Sequence, residues 1–228
     1  MIQKHPLEPS TLTIRTATTE DIPFLAQIIA AAFGVPPSNE CVWDEVLEET
    51  GIDTLAFLEA AIATGAWLWG KVEDFRILEE NGQPVAGAAA SEPNLENYHS
   101  LDLGKLDAIA AKLNESEVSV KQIRDRYIQL TGDDLRPDFF KPQAPWMIEV
   151  AAVIPEARGR GFAKILLRDL IEEGRSRGHS HAGITVVNGN DRAQHVYESL
   201  GFRVYLTYGA DYFEDTFPGL TQLRLALV

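Results

Sequence analysis

Residues Pro155–Leu167 read PEARGRGFAKILL, with two glycines and two arginines between an apolar stretch and an amphipathic one. Those residue types at that spacing can bind an anion. Gly159 and Gly161 let the backbone approach a ligand closely and adopt φ/ψ values that other residues avoid. The start of the helix that follows presents unpaired N–H groups and a partial positive charge, a setting suited to a phosphate or pyrophosphate. Arg158 and Arg160 add cationic donors for phosphate oxygens. The spacing is not G-x-x-x-x-G-K-[ST], and it lacks the third glycine of a dinucleotide fingerprint. A tight turn with two solvated arginines is the other reading of the same residues. A second chemical candidate is Glu149, a carboxylate inside the otherwise apolar run WMIEVAAVI. A charge there costs much unless its position faces a cleft. It is read as a general base or as half of a structural ion pair, since both perturb a carboxyl. Strand alternation puts Glu149, Ala151 and Val153 on one face.

The elements that must position these groups can be read from periodicity. Residues 12–16 make a short strand. Thr18 and Asp21 form a loose capping box, followed by Ile22, Leu25, Ala26, Ile29, Ala32 and Phe33 at helical spacing, with Gly34 and Pro36-Pro37 as the stop. A second helix is expected over Thr54–Trp69. The segment FRILEENGQPVAGAAAS reads as a hairpin, Phe75–Glu79 and Val85–Ala90 about an Asn81-Gly82 turn, because both turn residues tolerate φ > 0. Residues 91–145 interrupt the strands with two helical stripes, Leu103 to Leu113 and Ile123 to Leu130, the latter ended by Gly132. Pro137, Pro142 and Pro145 mark the exit. Such apolar stripes indicate a packed helical insertion. Then follow a strand at Trp146–Ile154, the glycine loop, and a helix carrying Phe162, Ile165, Leu166 and Leu170 that stops near Gly178. A strand at Gly183–Val187, a helix with Ala193, Val196, Tyr197 and Leu200, and strands at Phe202–Tyr208 and Leu220–Leu227 close the chain.

The segment NGNDRAQHVYESLGF, Asn188–Phe202, fits N-x-x-A-x-x-x-Y-x-x-x-G-F through Asn190, Ala193, Tyr197, Gly201 and Phe202. Together with the glycine loop it resembles the GNAT superfamily of acyl-CoA-dependent N-acetyltransferases. That family's loop [QR]-x-x-G-x-[GA] is matched by Arg158, Gly161 and Ala163, and IRTATTEDIPFLAQIIAAAF is similar to its opening strand and helix. The resemblance covers residues 12–33, 75–90 and 146–228. Residues 35–70 fit loosely, and 91–145 has no counterpart in the minimal fold. It implies an α/β chain of the α+β type, one domain over 1–228. Its mixed central sheet would have about six to seven strands splayed at the cofactor cleft.

The resemblance further implies acetyl-CoA as co-substrate, lying between strands 146–154 and 183–187. Backbone amides of Arg158, Gly159, Arg160, Gly161, Phe162 and Ala163 would hold the pyrophosphate. Backbone groups near Ala152 and Val153 would pair with the pantetheine arm, an amide near Val153 would polarise the thioester carbonyl, and Asn190 would contact the arm. Tyr197 sits where the family commonly has a tyrosine acid near the sulfur. A phenol is protonated at neutral pH and can donate, although an aromatic in a helix stripe also reads as core. Family members often carry a base or water-relay carboxylate at the place of Glu149. The implied reaction is acetyl transfer to an amine, of a small molecule or a peptide, by direct attack in a ternary complex. The other classes are a non-catalytic acyl-CoA sensor or scaffold, a longer acyl donor, and an oxygen acceptor. The acceptor pocket falls to the loops 35–70, 91–145 and 208–219.

Composition narrows the field. The formal net charge is -14, which repels polyanions and disfavours a nucleic-acid partner. It would suit a cationic amine. A single cysteine, Cys41, excludes an intramolecular disulfide. It lies far in sequence from the motifs and so lends no support to a covalent cysteine intermediate. No metal site is expected. His179 and His181 read as solvated loop residues, His195 as facing away from the Tyr197 side of its helix, and Trp67 and Trp69 as core or lid packing. The residues MIQKHPLEPSTLTI lack an uninterrupted apolar core, and no stretch reaches the ~20 apolar residues of a membrane span. The expectation is a cytoplasmic protein without a membrane partner, whose C-terminal strands offer an edge for a homodimer.

Overall fold

A computed structural model describes residues 11–96, 98–131 and 138–228. The chain runs β1 (Leu12–Thr16), α1 (Ile22–Ala32), the short pair β2 (Gly34–Val35) and β3 (Glu40–Cys41), α2 (Val42–Leu47) and α3 (Thr54–Ala63). The hairpin β4 (Phe75–Glu80) and β5 (Gln83–Ser91) precedes α4 (Leu106–Leu113) and α5 (Glu117–Thr131). The last third is β6 (Trp146–Val153), α6 (Phe162–Ser176), β7 (His181–Val187), α7 (Asp191–Ser199), β8 (Arg203–Tyr208) and β9 (Leu220–Ala226). Gly132 and Pro137, expected at the end of α5 and in the exit loop, lie outside the described residues, as does most of the N-terminal segment inspected for a leader.

Seven strands form a mixed sheet in the order β1-β4-β5-β6-β7-β9-β8. All neighbours are antiparallel except β6 and β7. A parallel pair needs a crossover connection, and the glycine loop with α6 supplies it. The β6–β7 ladder covers only Trp146–Ile148 against Ala182–Ile184. Beyond Ile148 the two strands part, while β7 keeps pairing with β9 along its whole length. The splay leaves the edge of β6 that faces β7 without a strand partner from Glu149 onward.

Each face of the sheet carries its own core. On one side α1 and α3, with the helices of the insertion, bury Leu25, Ile29, Phe57, Leu58, Trp43 and Trp67. On the other, α6 and α7 bury Leu166, Leu167, Leu170 and Phe202 over Trp146 and Ile148. Trp146 is fully buried and donates from its indole nitrogen to the Leu170 carbonyl at 3.0 Å. Gly174 makes room for that ring: a Cβ there would lie 2.6 Å from it.

Three readings of local structure are corrected. α3 ends at Ala63 rather than Trp69, because Gly65 adopts φ 67 and the next residues run extended. Leu68 N donates to Ser100 O at 2.9 Å, and Asp102 N to Ala66 O at 2.8 Å. The short helix α2 was not expected, although Trp43, Val46 and Leu47 recur at helical spacing and are all buried. Finally, β6 is bulged: Val150 and Ala151 oppose the single residue Ala88, and Val150 has φ 48. A β-branched residue at positive φ is strained by about 1–3 kcal/mol. The ladder to β5 on both sides of the bulge holds it there. The bulge resets the alternation, so Ala151 and Val153 pack on the α6 side with Ile148, and Glu149 faces the other way.

Candidate active site

The splay of β6 from β7 opens into a cleft of about 1390 Å³ that runs from the glycine loop to α2 and the insertion. Its floor is β6 from Met147 to Val153, with α7 along one wall.

At one end the chain leaves β6 through a turn at Pro155–Ala157 and enters α6 through the two glycines. Gly159 has φ 80 and Gly161 φ 83, and a Cβ at either would find nothing within 4 Å. The positive φ explains the residue type, and the empty space is a cradle open to a ligand. The N–H groups of Phe162 and Ala163, at the start of α6, have no acceptor within their own helix, so the loop and helix start aim donors into that space. Arg158 lines the cleft and is braced by a bond from its Nε to the Val153 carbonyl at 3.1 Å. Arg160 departs from its expected role. Its guanidinium pairs bidentately with Glu80 at the tip of the β4–β5 hairpin and lies 4.6 Å over the Phe162 ring. The side chain is therefore directed outside the cleft. Phe162, Ala163, Ala152 and Val153 line the cleft as expected. Asn190 does too, but its side-chain oxygen is occupied as the α7 N-cap, accepting from Ala193 N at 3.2 Å.

In the middle of the floor lies Glu149. Burial pushes its carboxyl up from 4.5 to about 7, against a smaller opposing pull from a hydrogen bond. The donor of that bond is the hydroxyl of Tyr98, which meets Oε1. Burial first, then the Glu149 charge, holds the Tyr98 phenol well above its ordinary value. Tyr197 lines the same cleft from α7. Burial and, second, the Glu149 charge push its phenol up to about 12. Among the described residues its hydroxyl has no hydrogen-bond partner. Glu149 and Tyr197 are thus brought together, one able to take a proton near neutral pH and the other to keep one.

The far end of the cleft is aromatic and acidic. Trp69 lines it, with ring centroids 5.9 Å from Phe33, 5.8 Å from Tyr98 and 5.4 Å from Phe140. Trp67 is buried, so only one of the two tryptophans is core. Phe139 of the insertion meets Phe213 of the β8–β9 loop at 5.0 Å, which joins two of the loops expected to shape the acceptor pocket. Glu40, Asp44, Glu45 and Glu48 line the mouth and are exposed. Cys41 lines the cleft as well, and burial pushes its thiol up to about 11, so it is a thiol rather than a thiolate at neutral pH.

The histidines depart from expectation. His195 lines the cleft. His179 stacks on Trp146 at 5.2 Å and 16° and is not a solvated loop residue. Sequence reasoning missed Tyr98 and the acidic mouth, and Trp69 takes the lid position of its two expected readings. No motif marks them, since they come from segments whose partners are distant in sequence.

Residues 129–202 match the model of the acetyltransferase (GNAT) family. No curated protein matches the chain. Among solved structures, an N-acetyltransferase from Staphylococcus aureus Mu50 superposes with a TM-score of 0.60 at 18% identity, covering 93% of this chain and 100% of its own. The Salmonella typhimurium protein yncA, solved with its cofactor acetyl-CoA, gives 0.52 at 19% identity over 95% and 94% of the two chains. The ribosomal-protein-S18-alanine N-acetyltransferase of Escherichia coli gives 0.51 at 19% identity, again over 95% and 94%. At such identities the likeness is one of fold.

Proposed function

With residues 129–202 matching the model of the acetyltransferase (GNAT) family and the chain sharing the fold of solved N-acetyltransferases, we propose that the chain is an acetyltransferase that acts by direct attack of an amine in a ternary complex. In this reading Glu149 is the base and Tyr197 the acid. The family's co-substrate is acetyl-CoA, which supplies an acetyl thioester when bound. The open cradle at Gly159 and Gly161 and the unpaired edge of β6 suit its pyrophosphate and pantetheine arm. Arg158, the amides through Ala163 and the backbone at Ala152 and Val153 would hold it. An amide near Val153 would act as the oxyanion donor.

The observation that carries the reading is that Glu149, in the floor of the cleft, and Tyr197 on its wall line the same cavity, with burial pushing the carboxyl up towards neutral. An attacking amine must lose a proton, and a base works best with a pKa near the operating pH. Oε2 of Glu149, whose partner oxygen is engaged by Tyr98, takes that proton directly or through one water. The Tyr197 hydroxyl keeps its proton at neutral pH and holds it available to the leaving sulfur. Cys41, as a neutral thiol, takes no part. Acidic side chains at the mouth favour an acceptor that arrives as an ammonium ion.

The test is a panel of polyamines, amino acids, antibiotics and peptide N-termini, assayed with acetyl-CoA by release of free thiol. Tyr197→Phe should lower turnover on the responding amine by about a hundredfold, the low end for positioned acid catalysis. Acetyl-CoA affinity should stay the same, because the lost interaction belongs to the transition state. Equal turnover would make Tyr197 a packing residue. Tight acetyl-CoA binding without turnover of any amine would favour a sensor module.

A further inference from the structure

The insertion between β5 and β6 brings the Tyr98 hydroxyl into the cleft, where it reaches the proposed base. We propose that Tyr98 is the positioning residue for Glu149. Its hydroxyl holds Oε1, fixes the orientation of the carboxylate, and leaves Oε2 for the acceptor amine. This rests on the reading of Glu149 as base.

The geometry supporting it begins with the segment that carries Tyr98. Residues 98–102 are laced to the extended stretch after α3. Leu68 N donates to Ser100 O at 2.9 Å, Asp102 N to Ala66 O at 2.8 Å, and Trp67 bridges Leu101. Ser100 Oγ lies 3.0 Å from the hydroxyl of Tyr127 on α5, and Tyr127 stacks on Trp43 at 5.8 Å. The backbone that presents Tyr98 is therefore anchored to two helical layers. The ring itself leans on Trp69, 5.8 Å away at 35°. A phenol so placed loses little freedom when it bonds a carboxylate, so the hydrogen bond orients its partner rather than following it.

The surroundings of Glu149 make that bond decisive. α1 packs against β6 and carries no charged residue in IPFLAQIIAAA. The neighbouring strand β5, QPVAGAAAS, has none either. The paired stretch of β7 is Ala182, Gly183 and Ile184, and α6 packs on the opposite face of the sheet. On α7 the phenol of Tyr197 feels the Glu149 charge. Among the described residues only Tyr98 hydrogen-bonds the carboxylate. The insertion thereby sets how the base points, and its Tyr98 hydroxyl opposes part of the rise that burial imposes on the carboxyl.

Tyr98→Phe keeps the ring on Trp69 and removes the hydroxyl. Two readouts separate positioning from packing. The first is titration of the Glu149 carboxyl by infrared difference between otherwise identical proteins with and without Glu149→Gln, which needs no acceptor. Loss of a bond to the charged form should raise its midpoint by about one pH unit or more. The second is the pH profile of kcat/KM for thiol release with an amine from the panel, whose acidic limb should move up by the same amount, with turnover recovering at high pH. An unmoved midpoint in the folded variant, or a loss of turnover equal at every pH, overturns the proposal. A moved midpoint beside full turnover in Glu149→Gln overturns it differently: the contact holds, and the base reading is what fails.

Discussion

Glu149→Gln makes the consequence of burying this carboxyl measurable as stability, without any knowledge of the acceptor. Glutamine removes the titrating group and keeps a carbonyl oxygen able to accept the Tyr98 hydroxyl. In the folded protein burial holds the carboxyl at about 7 instead of 4.5, whereas the unfolded chain returns it to the ordinary range. Between those values the folded state keeps a proton that the unfolded state has released. The stability this contributes is fully present below about pH 4.5 and is lost as pH rises through about 7. A displacement from 4.5 to about 7, at about 1.4 kcal/mol per unit, amounts to about 3 kcal/mol. The assay is urea unfolding of both proteins at about pH 4 and about pH 8, where all other titrating groups are common and cancel in the difference. The stability of the variant relative to wild type should rise by about 3 kcal/mol across that range. A difference that stays constant would show that Glu149 titrates as an ordinary exposed carboxyl. A change of the opposite sign would show a carboxylate held by a cation, which is the ion-pair reading of this residue.

Acetyl-CoA at about a hundredfold over its Kd should stabilise the folded protein by about 2.7 kcal/mol, read as a rise in Tm. Gly161→Val should abolish that rise, since Gly161 has φ 83 and its open side is the cradle; an unaltered rise would make the loop a turn and nothing more. Arg158→Ala should weaken acetyl-CoA binding by about tenfold, the low end for a bond to a charged group. Arg160→Ala should change it little, because Arg160 is engaged by Glu80. Isothermal titration of the two variants checks the order, and a larger loss at Arg160 would contradict the contact.

Much of the fold was legible because its determinants are local. The Asn81-Gly82 turn, the strand–glycine loop–helix run from Trp146 to Ser176 and the stripe of α7 each depend on residues within a few positions of one another. Periodicity and positive φ are properties of such short stretches. Gly159 and Gly161 were readable as an anion cradle for the same reason, and Glu149 stood out as a charge in an apolar strand. Tertiary structure decided the rest. Whether Glu149 shares a face with Ala151 and Val153 depends on a bulge at Val150, which exists only in the register against Ala88. Arg160 looked equivalent to Arg158 until the hairpin brought Glu80, 80 residues away, beside it. Tyr98 lies 51 residues from Glu149 in a segment without a motif. Its role arises because the insertion folds over the splayed strands and brings that hydroxyl to the carboxylate. Local sequence can specify a turn, a stripe or an isolated charge. Which distant group meets that charge, and hence where it titrates, is set by the packing of elements that no short window of sequence contains.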